Sequence, residues 1–261
     1  MNETAIDATG IGRFDAIDLA ELDRLAALRT RFDLKYAVDE AGVRRLLADL
    51  PTRWSVLEIE GRRAFEYSSL YFDDDVLRCF HDHRRRRRLR FKLRSRRYES
   101  GAGATLELKT KDGRGRTVKQ RLARAGSTDS LDLSLDFAER EWLDERLRTI
   151  GIRPASPRLA PVLAIGYRRT TLVEPALGER ITIDVDLTAT HRNRTATLVP
   201  RAAIVEWKSR GEHGETARLL RGLGLRPVSF SKYCVGLSAV GAVTEGRPGR
   251  EAEGSLGQQR R

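Results

Sequence analysis

Apolar and polar residues alternate with a period of two along several stretches of this chain, a pattern that predicts half-buried β-strands. The clearest example lies within an arginine-rich segment, where Leu89, Phe91 and Leu93 fall on one face. The opposite face carries Arg90, Lys92, Arg94, Arg96 and Tyr98. A disordered basic tail has no need of apolar residues at this spacing. Residues 89–98 are therefore predicted to form an ordered strand with one packed face and one cationic face.

Similar alternation recurs elsewhere in the chain and predicts further antiparallel strands. The predicted strands cover residues 31–38, 68–72, 105–111, 117–123, 162–173, 180–187 and 203–209. In several of these segments one face is apolar, and the other mixes lysine or arginine with aspartate or glutamate. The chain is therefore predicted to form a sheet whose polar face is strongly charged.

Helical periodicity occupies several intervals between the predicted strands. Asp18 and Glu21 have the spacing of a capping box, which predicts a helix that reaches Leu28. Asp39 is expected to cap a helix that stops at Pro51. Further helices are predicted over 135–150, 215–223 and 232–240. Strands and helices together indicate an α+β protein.

No internal repeat or linker divides the chain, which favours a single domain. Residues 1–17 show little periodicity and are predicted to be loosely ordered. The domain is predicted to extend over residues 18–240. Residues 241–261 are rich in Gly, Arg and Glu, and they are predicted to be a disordered tail.

The composition indicates an anionic partner. The 261-residue chain carries 49 Lys and Arg against 37 Asp and Glu, a formal net charge of +12. Such an excess favours nucleic acid, a membrane surface or a phosphorylated substrate, and by itself it does not choose among them. The two cysteines form no recognisable disulfide framework. The N-terminus lacks a secretory signal pattern and no apolar run is long enough to span a bilayer, so a cytoplasmic location is expected and any membrane association would be peripheral.

Closing the predicted sheet into a barrel would turn its polar faces into an interior. That interior would be lined by Lys35, Arg94, Arg96, Lys109, Lys119 and Arg180, with Glu107, Asp184 and Glu206 among them. Like charges confined in this way repel strongly unless an anion lies between them. Arginine forks match phosphate oxygens, and carboxylates can hold a divalent metal that bridges phosphates. The predicted architecture is a closed antiparallel β-barrel with flanking helices, built around a phosphate ligand; the alternative is that the basic strand residues form a solvated face.

Nine short segments carry a resemblance to a known family. They are RFDLKY (31–36), YSSLYFDDD (67–75), RFKLRSRRY (90–98), LELKTK (106–111), VKQRL (118–122), YRRTTL (167–172), RITIDVDL (180–187), IVEWKS (204–209) and FSKY (230–233). In this order they resemble the polyphosphate polymerase domain of the vacuolar transporter chaperone (VTC) family, within the triphosphate tunnel metalloenzymes. Each segment alone is a weak signal, and nine in the family's order are specific.

The resemblance implies a triphosphate tunnel that transfers the γ-phosphate of ATP onto a growing polyphosphate chain, with Mn²⁺ or Mg²⁺ as cofactor. The matching motifs imply that catalysis rests on Lys35, Arg94, Arg96, Lys109, Arg169 and Arg180. They further imply that substrate phosphates bind Lys119, Ser231 and Lys232, and that the metal binds Glu206. Asp33 stands where the family's first strand often carries glutamate, so no metal ligand is assigned there.

Two other functions compete with a polymerase. A metal-dependent hydrolase of triphosphate or polyphosphate would differ only in using water as the acceptor. A non-catalytic module that binds polyphosphate or RNA is a third hypothesis. An RNA groove needs aromatic side chains between the basic ones, and aromatic residues make up only 7% of the chain, so specific nucleic-acid binding is not expected. The chain has no Walker-type glycine-rich loop, so ATP would be recognised through its phosphates.

Three polar clusters allow a structural and a functional interpretation. Arg84–Arg88 precedes the patterned strand and forms either a solvated loop or a funnel that attracts anions to the tunnel mouth. His81 and His83 have no evident third metal ligand nearby, so a surface loop is predicted. Asp73–Asp75 is expected to end a strand and cap the next turn rather than to bind a metal.

Overall fold

A computed structural model describes residues 10–25, 32–99, 103–124 and 134–243. The strands in these residues are β1 (Asp15–Ile17), β2 (Phe32–Asp39), β3 (Ser55–Leu57), β4 (Phe65–Asp73), β5 (Arg90–Tyr98), β6 (Ala104–Lys111), β7 (Thr117–Arg124), β8 (Ala160–Glu174), β9 (Glu179–His191), β10 (Arg194–Thr197) and β11 (Ala202–Ser209). The helices are α1 (Leu19–Leu25), α2 (Glu40–Asp49), α3 (Arg78–Arg84), α4 (Phe137–Thr149), α5 (Glu215–Gly222) and α6 (Lys232–Ala239). Two short 3₁₀ helices lie at Ile11–Arg13 and Ser156–Arg158.

The strands form one sheet with the order β2-β11-β9-β8-β4-β5-β6-β7, and neighbours along this path are antiparallel. β10 extends the sheet beside β9, while β3 pairs with β8 and carries the parallel strand β1. In the residues that the structure describes, the path ends at β2 and β7, and no pairing joins these two strands. The predicted α+β class with an antiparallel sheet and flanking helices is confirmed. Closure into a barrel stays a prediction.

The sheet is strongly curved although its hydrogen-bonded path is open. Lys109 lies on β6 and Asp33 and Lys35 lie on β2, six strand positions away. A flat sheet would place these strands about 29 Å apart, at about 4.8 Å per strand. The charges of Asp33 and Lys35 nevertheless act on the pKa of Lys109. The polar side chains of the two ends of the sheet therefore converge on one concave face.

Helices cover the apolar faces that the alternation predicts. Leu93, Leu106 and Leu108 pack in one buried cluster with Leu143 and Leu147 of α4. A second buried cluster joins the apolar residues of β2, β9 and β11 to α2 and α5, and its largest members are Trp54 and Trp207. Burial of these surfaces supplies most of the driving force for folding. It also leaves the opposite, charged face of the same strands turned toward the inside of the curve.

Caps fix the helix ends where the sequence predicts them. The Asp39 carboxylate accepts a hydrogen bond from the Gly42 amide at 2.7 Å at the start of α2. Asp18 accepts one from the Glu21 amide at 2.8 Å beside α1, while residues 26–31 lie outside the described part of the chain. α4 begins later than predicted, at Phe137, because Asp136 caps it.

Asp73 joins three elements at the end of β4. Its Oδ1 accepts hydrogen bonds from the amides of Asp74 at 2.9 Å and Cys79 at 2.8 Å. Its Oδ2 accepts one from the Phe80 amide at 3.0 Å and another from the Tyr233 hydroxyl of α6. The predicted role of this aspartate as a strand end and cap is confirmed.

Two further boundaries differ from the predictions. β5 begins at Arg90, and Leu89 is 39% exposed, because the preceding residues belong to α3 and the loop after it. Residues 10–17 are ordered rather than loose, because Ile11 and Phe14 are buried against α2. Residues 1–9 and 244–261, which include most of the predicted tail, lie outside the described residues. No helix in the described residues is long and apolar enough to cross a membrane.

Helix α6 lies on the polar side of the sheet rather than on the outside. A Cβ added to Gly236 would lie 2.8 Å from Cδ2 of Leu163, 2.9 Å from Cδ1 of Ile165 and 3.2 Å from Cβ of Ala189. Leu163, Ile165 and Tyr167 occupy every second position of β8 and therefore lie on the same face. The glycine therefore permits the close approach that brings the start of α6 to the charged face.

We predict that Gly236→Ala lowers the free energy of unfolding by about 1–3 kcal/mol, because the added methyl group overpacks this contact. Gly222→Ala at the end of α5 is the matched control, since a Cβ there meets no atom within 4 Å. The control should be neutral or stabilising by about 0.5 kcal/mol. Urea unfolding of both variants measures the difference, and equal midpoints would contradict the proposed close approach.

Candidate functional site

The concave face collects every residue that the sequence assigns to the site. Its basic side chains are Lys35, Lys92, Arg94, Arg96, Lys109, Lys119, Arg169, Arg180, Lys208 and Lys232. Its carboxylates are Asp33, Glu107, Asp184 and Glu206, and Ser231 reaches it from the start of α6. Cations therefore outnumber carboxylates on this face, and each carboxylate is in contact with at least one of them.

Glu107 on β6 holds the first cluster. Its Oε2 accepts hydrogen bonds from Nε of Arg94 at 2.8 Å and from Nη2 of the same residue at 2.5 Å. Its Oε1 lies 2.5 Å from Nζ of Lys119 and 3.4 Å from Nε of Arg121. Burial would raise the pKa of Glu107, but the charges of Arg94, Arg96 and Lys119 outweigh burial and hold this pKa far below its ordinary value. Glu107 is therefore an anion that fixes the positions of two predicted site residues.

Asp184 on β9 holds the second cluster. Its Oδ1 accepts a hydrogen bond from Nε of Arg169 at 2.5 Å, and its Oδ2 accepts one from Nη2 of Arg169 at 2.8 Å. Nζ of Lys232 lies 2.5 Å from the same Oδ2. Burial opposes ionisation, yet Arg169 and Lys232 lower the pKa of Asp184 to about 2. The carboxylate thereby connects α6 to the sheet.

Glu206 on β11 holds the third cluster. Its Oε1 lies 2.5 Å from Nζ of Lys208 and 3.6 Å from Nζ of Lys35. Lys35 also contacts Oδ1 of Asp33 at 2.8 Å. Burial would raise the pKa of Glu206, but the charges of Lys208 and Lys35 keep it well below the ordinary range. Two carboxylates, Asp33 and Glu206, thus lie side by side among lysines.

A row of lysines crosses three adjacent strands at one level. Lys92 on β5 is opposite Lys109 on β6, and Lys109 is opposite Lys119 on β7. Like charges that face each other directly across strands are destabilising. Within the described part of the chain, neither Lys92 nor Lys109 forms an ion pair with a carboxylate. Nζ of Lys92 instead lies 3.2 Å from the Ser231 hydroxyl and 3.4 Å from Nε2 of His83.

The lysine row has lowered pKa values. Burial lowers the pKa of Lys92 to about 8. For Lys119, burial outweighs the attraction of Glu107 and lowers the pKa to about 7. Burial also lowers the pKa of Lys109. An anion placed among these ammonium groups would favour their protonated forms, so the row is suited to a ligand of high negative charge.

Tyrosines position the arginines of the site. The Tyr71 hydroxyl accepts a hydrogen bond from Nη1 of Arg94 at 3.1 Å, and the Tyr167 hydroxyl accepts one from Nη2 of Arg96 at 2.9 Å. The guanidinium of Arg169 lies 5.1 Å from the Tyr67 ring centre and 5.2 Å from that of Tyr167. The tyrosine rings are therefore engaged with arginines and with each other.

Sequence reasoning assigned no role to several residues that the structure places on the concave face. They are Lys92, Lys208, Asp33, Tyr67, Tyr71, Tyr167 and His83. Lys92 and Arg94 are two residues apart on β5 and therefore lie on the same face, so the alternation in the sequence could have identified Lys92 as a site residue. The tyrosines alternate around Ser69 in the same way. The prediction that His81 and His83 lie in a surface loop was wrong, because both lie on α3, and His83 reaches the face through the packing of that helix.

Comparison with known proteins places the chain in a family. The family model described as the VTC domain matches residues 30–240. The chain belongs to the VTC domain family. No match to this VTC domain was found among curated proteins.

Solved structures similar to this VTC domain share little sequence with it. A proposed adenylate cyclase of Bacillus halodurans has 15% identity and a TM-score of 0.48, covering 77% of this chain and 94% of that one. A proposed adenylyl cyclase of Hippeastrum, described as having a dominant triphosphatase activity, has 16% identity and a TM-score of 0.47, covering 80% of this chain and 96% of that one. The PH1819 protein of Pyrococcus horikoshii has 12% identity and a TM-score of 0.43, covering 79% and 94%.

The donor atoms of the VTC domain suit a hard cation only in part. In the described ranges, no group of three or more His, Cys, Asp or Glu side chains is arranged to hold a metal ion. Glu206 and Asp33 supply adjacent carboxylates, and Glu206 is ionised because its pKa is well below the ordinary range. Magnesium and manganese accept oxygen ligands and often take the remainder from phosphates and water. The residues present therefore fit a metal ion that arrives with a phosphorylated ligand.

We predict that polyphosphate affinity falls as the pH rises from about 7 to about 9, by up to about tenfold per pH unit for each lysine that must be protonated. Lys92 and Lys119 have folded-state pKa values below the lysine reference, so they lose protons in this window and their attraction for anions disappears. Groups that face them are His83, Tyr71, Arg94, Arg96, Glu107, Lys109 and Cys234. Isothermal calorimetry with a long polyphosphate chain measures the change.

Lys92→Arg provides the control for the pH dependence, because arginine keeps its charge throughout this range. The variant should show a flatter dependence of affinity on pH than the natural chain. An affinity that is constant across the range in the natural chain would contradict the role of the lysine row.

We predict that Glu107→Gln lowers the free energy of unfolding by about 2 kcal/mol without ligand, because Arg94 and Lys119 lose their anion. Polyphosphate should then raise the melting temperature more in this variant than in the natural chain, since the ligand supplies the missing negative charge. Glu145→Gln is the control, because Glu145 is an exposed carboxylate paired with Arg146. Thermal melts with and without polyphosphate test the pair, and an equal ligand shift in all proteins would refute the expectation.

Proposed function

We propose that this VTC domain is an ATP-dependent polyphosphate polymerase, which transfers the γ-phosphate of ATP onto the end of a polyphosphate chain. The observation that supports this most directly is the row of Lys92, Lys109 and Lys119. Burial lowers their pKa values, two of them lack a carboxylate partner in the described residues, and they lie directly opposite one another. A dense linear anion neutralises such a row, and membership of the VTC domain family points to the same ligand.

The proposed roles follow the three carboxylate clusters. Phosphates in the tunnel would be held by Lys35, Arg94, Arg96, Lys109, Lys119, Arg169, Arg180, Ser231 and Lys232. Arginine binds two phosphate oxygens at once, whereas lysine supplies a compact charge. Glu107 and Asp184 would keep the arginines oriented before the ligand arrives, so that little reorganisation is needed when it binds.

Glu206, with Asp33 beside it, would hold Mn²⁺ or Mg²⁺. When bound, such an ion would supply positive charge that stabilises the negative charge of the phosphates. Lys35 and Lys208 already contact these carboxylates, so they would remain close to the phosphates that the ion carries.

The proposed reaction needs no covalent intermediate with the protein. A terminal oxygen of the polyphosphate chain forms a bond to the γ-phosphorus of ATP, and the bond from that phosphorus to the bridging oxygen breaks. ADP leaves with the electron pair, and the chain is one phosphate longer. Phosphoryl transfer of this kind depends mainly on alignment and on neutralisation of charge. Arg94, Arg96 and Arg169 would supply both, because each is held by a hydroxyl, an aromatic ring or a carboxylate.

We also propose that the concave face becomes a closed tunnel around its substrate. The amide of Val228 donates a hydrogen bond to the Lys35 carbonyl at 2.7 Å, so the segment before α6 covers the open edge of β2. β7 lies at the other end of the strand order and contributes Lys119. A phosphate chain bound by Lys35 and Lys119 together would draw these two edges toward each other. With ATP as donor, the reaction would take place in the cytoplasm.

RNA binding is less well supported by the same face. Tyr67 and Tyr167 stack on each other with ring centres 5.3 Å apart, and arginines lie over them. Their rings are therefore not presented as platforms for bases, which single-stranded nucleic acid requires.

Incubation of the purified protein with ATP labelled at the γ-phosphate, in the presence of Mn²⁺, should give a ladder of polyphosphate on a gel. Arg94→Ala should reduce synthesis by about a hundredfold or more, because it removes a bidentate phosphate contact. Glu206→Ala should abolish synthesis while tripolyphosphate binding is largely kept. Arg45→Ala, an exposed residue of α2, is the control and should retain full activity.

The products distinguish the competing functions. Free orthophosphate without a ladder would replace the polymerase by a hydrolase, since water would then be the acceptor. Tight polyphosphate binding with neither product would indicate a receptor and would overturn the proposal.

A further inference from the structure

The arginine run that precedes β5 is on the outside of the protein. We define the arginine patch as Arg84, Arg85, Arg87 and Arg88, all of which are exposed. Arg88 donates hydrogen bonds to the Gly113 carbonyl from Nε at 3.1 Å and from Nη2 at 2.5 Å, which fixes the loop against the turn between β6 and β7. Among the residues that the structure describes, no member of the patch forms an ion pair with a carboxylate. The proposed function leaves this patch without a role.

The arginine patch continues a line of cations that runs along β5. This line is distinct from the lysine row, which crosses β5, β6 and β7. Arg96, Arg94, Lys92 and Arg90 alternate along one face of β5, about 6.7 Å apart. Arg96 is 7% exposed and the Arg94 side chain is 21% exposed, whereas the arginines before the strand are exposed. This line of cations therefore leads from the interior of the site to the solvent, and residues 84–96 contain no acidic residue.

His83 marks the junction between the site and the patch. Its Nε2 lies 3.4 Å from Nζ of Lys92, and the next residue in the chain is Arg84, the first of the patch. Burial, together with the charges of Lys92, Arg90, Lys109 and Lys111, lowers the pKa of His83 to about 3. A neutral imidazole at this point adds no charge to the line of cations. The positive potentials of the inner lysines and of the outer residues overlap here.

We propose that the arginine patch binds the part of a polyphosphate chain that extends beyond the site. This inference rests on the proposed function, because it assumes that phosphates occupy the cations of the concave face. A polyanion that is longer than the site extends out of it, and a chain that leaves at the Arg90 end of β5 reaches the arginine patch. Each phosphate that reaches the patch meets an arginine with no carboxylate partner in the described residues, so contact releases condensed counterions and adds affinity.

A polyphosphate chain fits the patch better than RNA does. Phe80 lies beneath Arg84 with its ring centre 6.0 Å from the guanidinium, and it is buried. Phe80 is therefore not a platform on which a base can stack. The line of cations along β5 leads into the arginine patch, which also favours a ligand that binds the concave face and the patch at once.

The test compares two ligands with the full chain at about 0.15 M ionic strength, where exposed charges beyond about 8 Å are screened. Arg84→Gln, Arg85→Gln and Arg87→Gln are combined in one variant. We expect the dissociation constant for a long polyphosphate chain to rise by about tenfold or more, with a shallower dependence on salt. The dissociation constant for tripolyphosphate should change by less than about twofold, because this ligand is short enough to remain on the concave face.

A control variant removes the same number of positive charges elsewhere. Arg44→Gln, Arg45→Gln and Arg218→Gln lie on α2 and α5, are exposed, and should leave both affinities unchanged. Titrations with an unstructured RNA oligonucleotide and with vesicles of anionic lipid are run in parallel.

Each outcome decides the matter. A loss confined to the long chain supports the proposal. Unchanged affinity for the long chain overturns it, and so does an equal loss for both ligands, because the patch would then belong to the inner site. A loss seen only with RNA or with vesicles would assign the patch to that partner instead. If the natural chain binds neither phosphate ligand, the proposed function itself fails, which is a separate result.

Discussion

Confinement of like charges on one face is the constraint on which the rest of the structure depends. Three buried carboxylates, Glu107, Asp184 and Glu206, each bind two or more of the surrounding cations. They reduce the repulsion enough for the sheet to curve, yet they do not neutralise the face, because the cations outnumber them. Burial of the apolar strand faces against the helices stabilises this arrangement from the opposite side of the sheet. The protein is therefore folded around a deficit of negative charge, and this deficit gives it affinity for a ligand.

The position of α6 follows from the same balance. Its apolar side packs on β8 and β9 through Gly236, while its first residues meet the charged face. Ser231 contacts Lys92 on β5, and Lys232 contacts Asp184 on β9, so a single turn of helix touches strands that are three positions apart in the sheet. The helix thereby fixes the degree of curvature, and the geometry of the site depends on its packing.

Much of the sheet could be predicted because alternation has a direct physical cause. Leu93, Leu106 and Leu108 are buried as their spacing indicates, and Arg94 and Lys109 share the opposite face. The contacts between charged side chains could not be predicted, since the pairing of Arg94 with Glu107 depends on strand register and that of Lys232 with Asp184 depends on the placement of α6. The helix α3 was missed for a related reason: its seven residues are anchored by Asp73, a tertiary contact with no local periodicity.

The free edge of β7 gives the charged face a second effect. In the part of the chain that the structure describes, β7 pairs only with β6, so one row of its backbone groups is available to another strand. Lys119 and Arg121 alternate along this strand, and charged side chains on an edge strand hinder its addition to the edge of a second molecule. A polyanion that neutralises these side chains also removes the repulsion between copies. The cations that attract a substrate are thus the same cations that keep the molecules apart, and saturation with ligand weakens the protection against self-association.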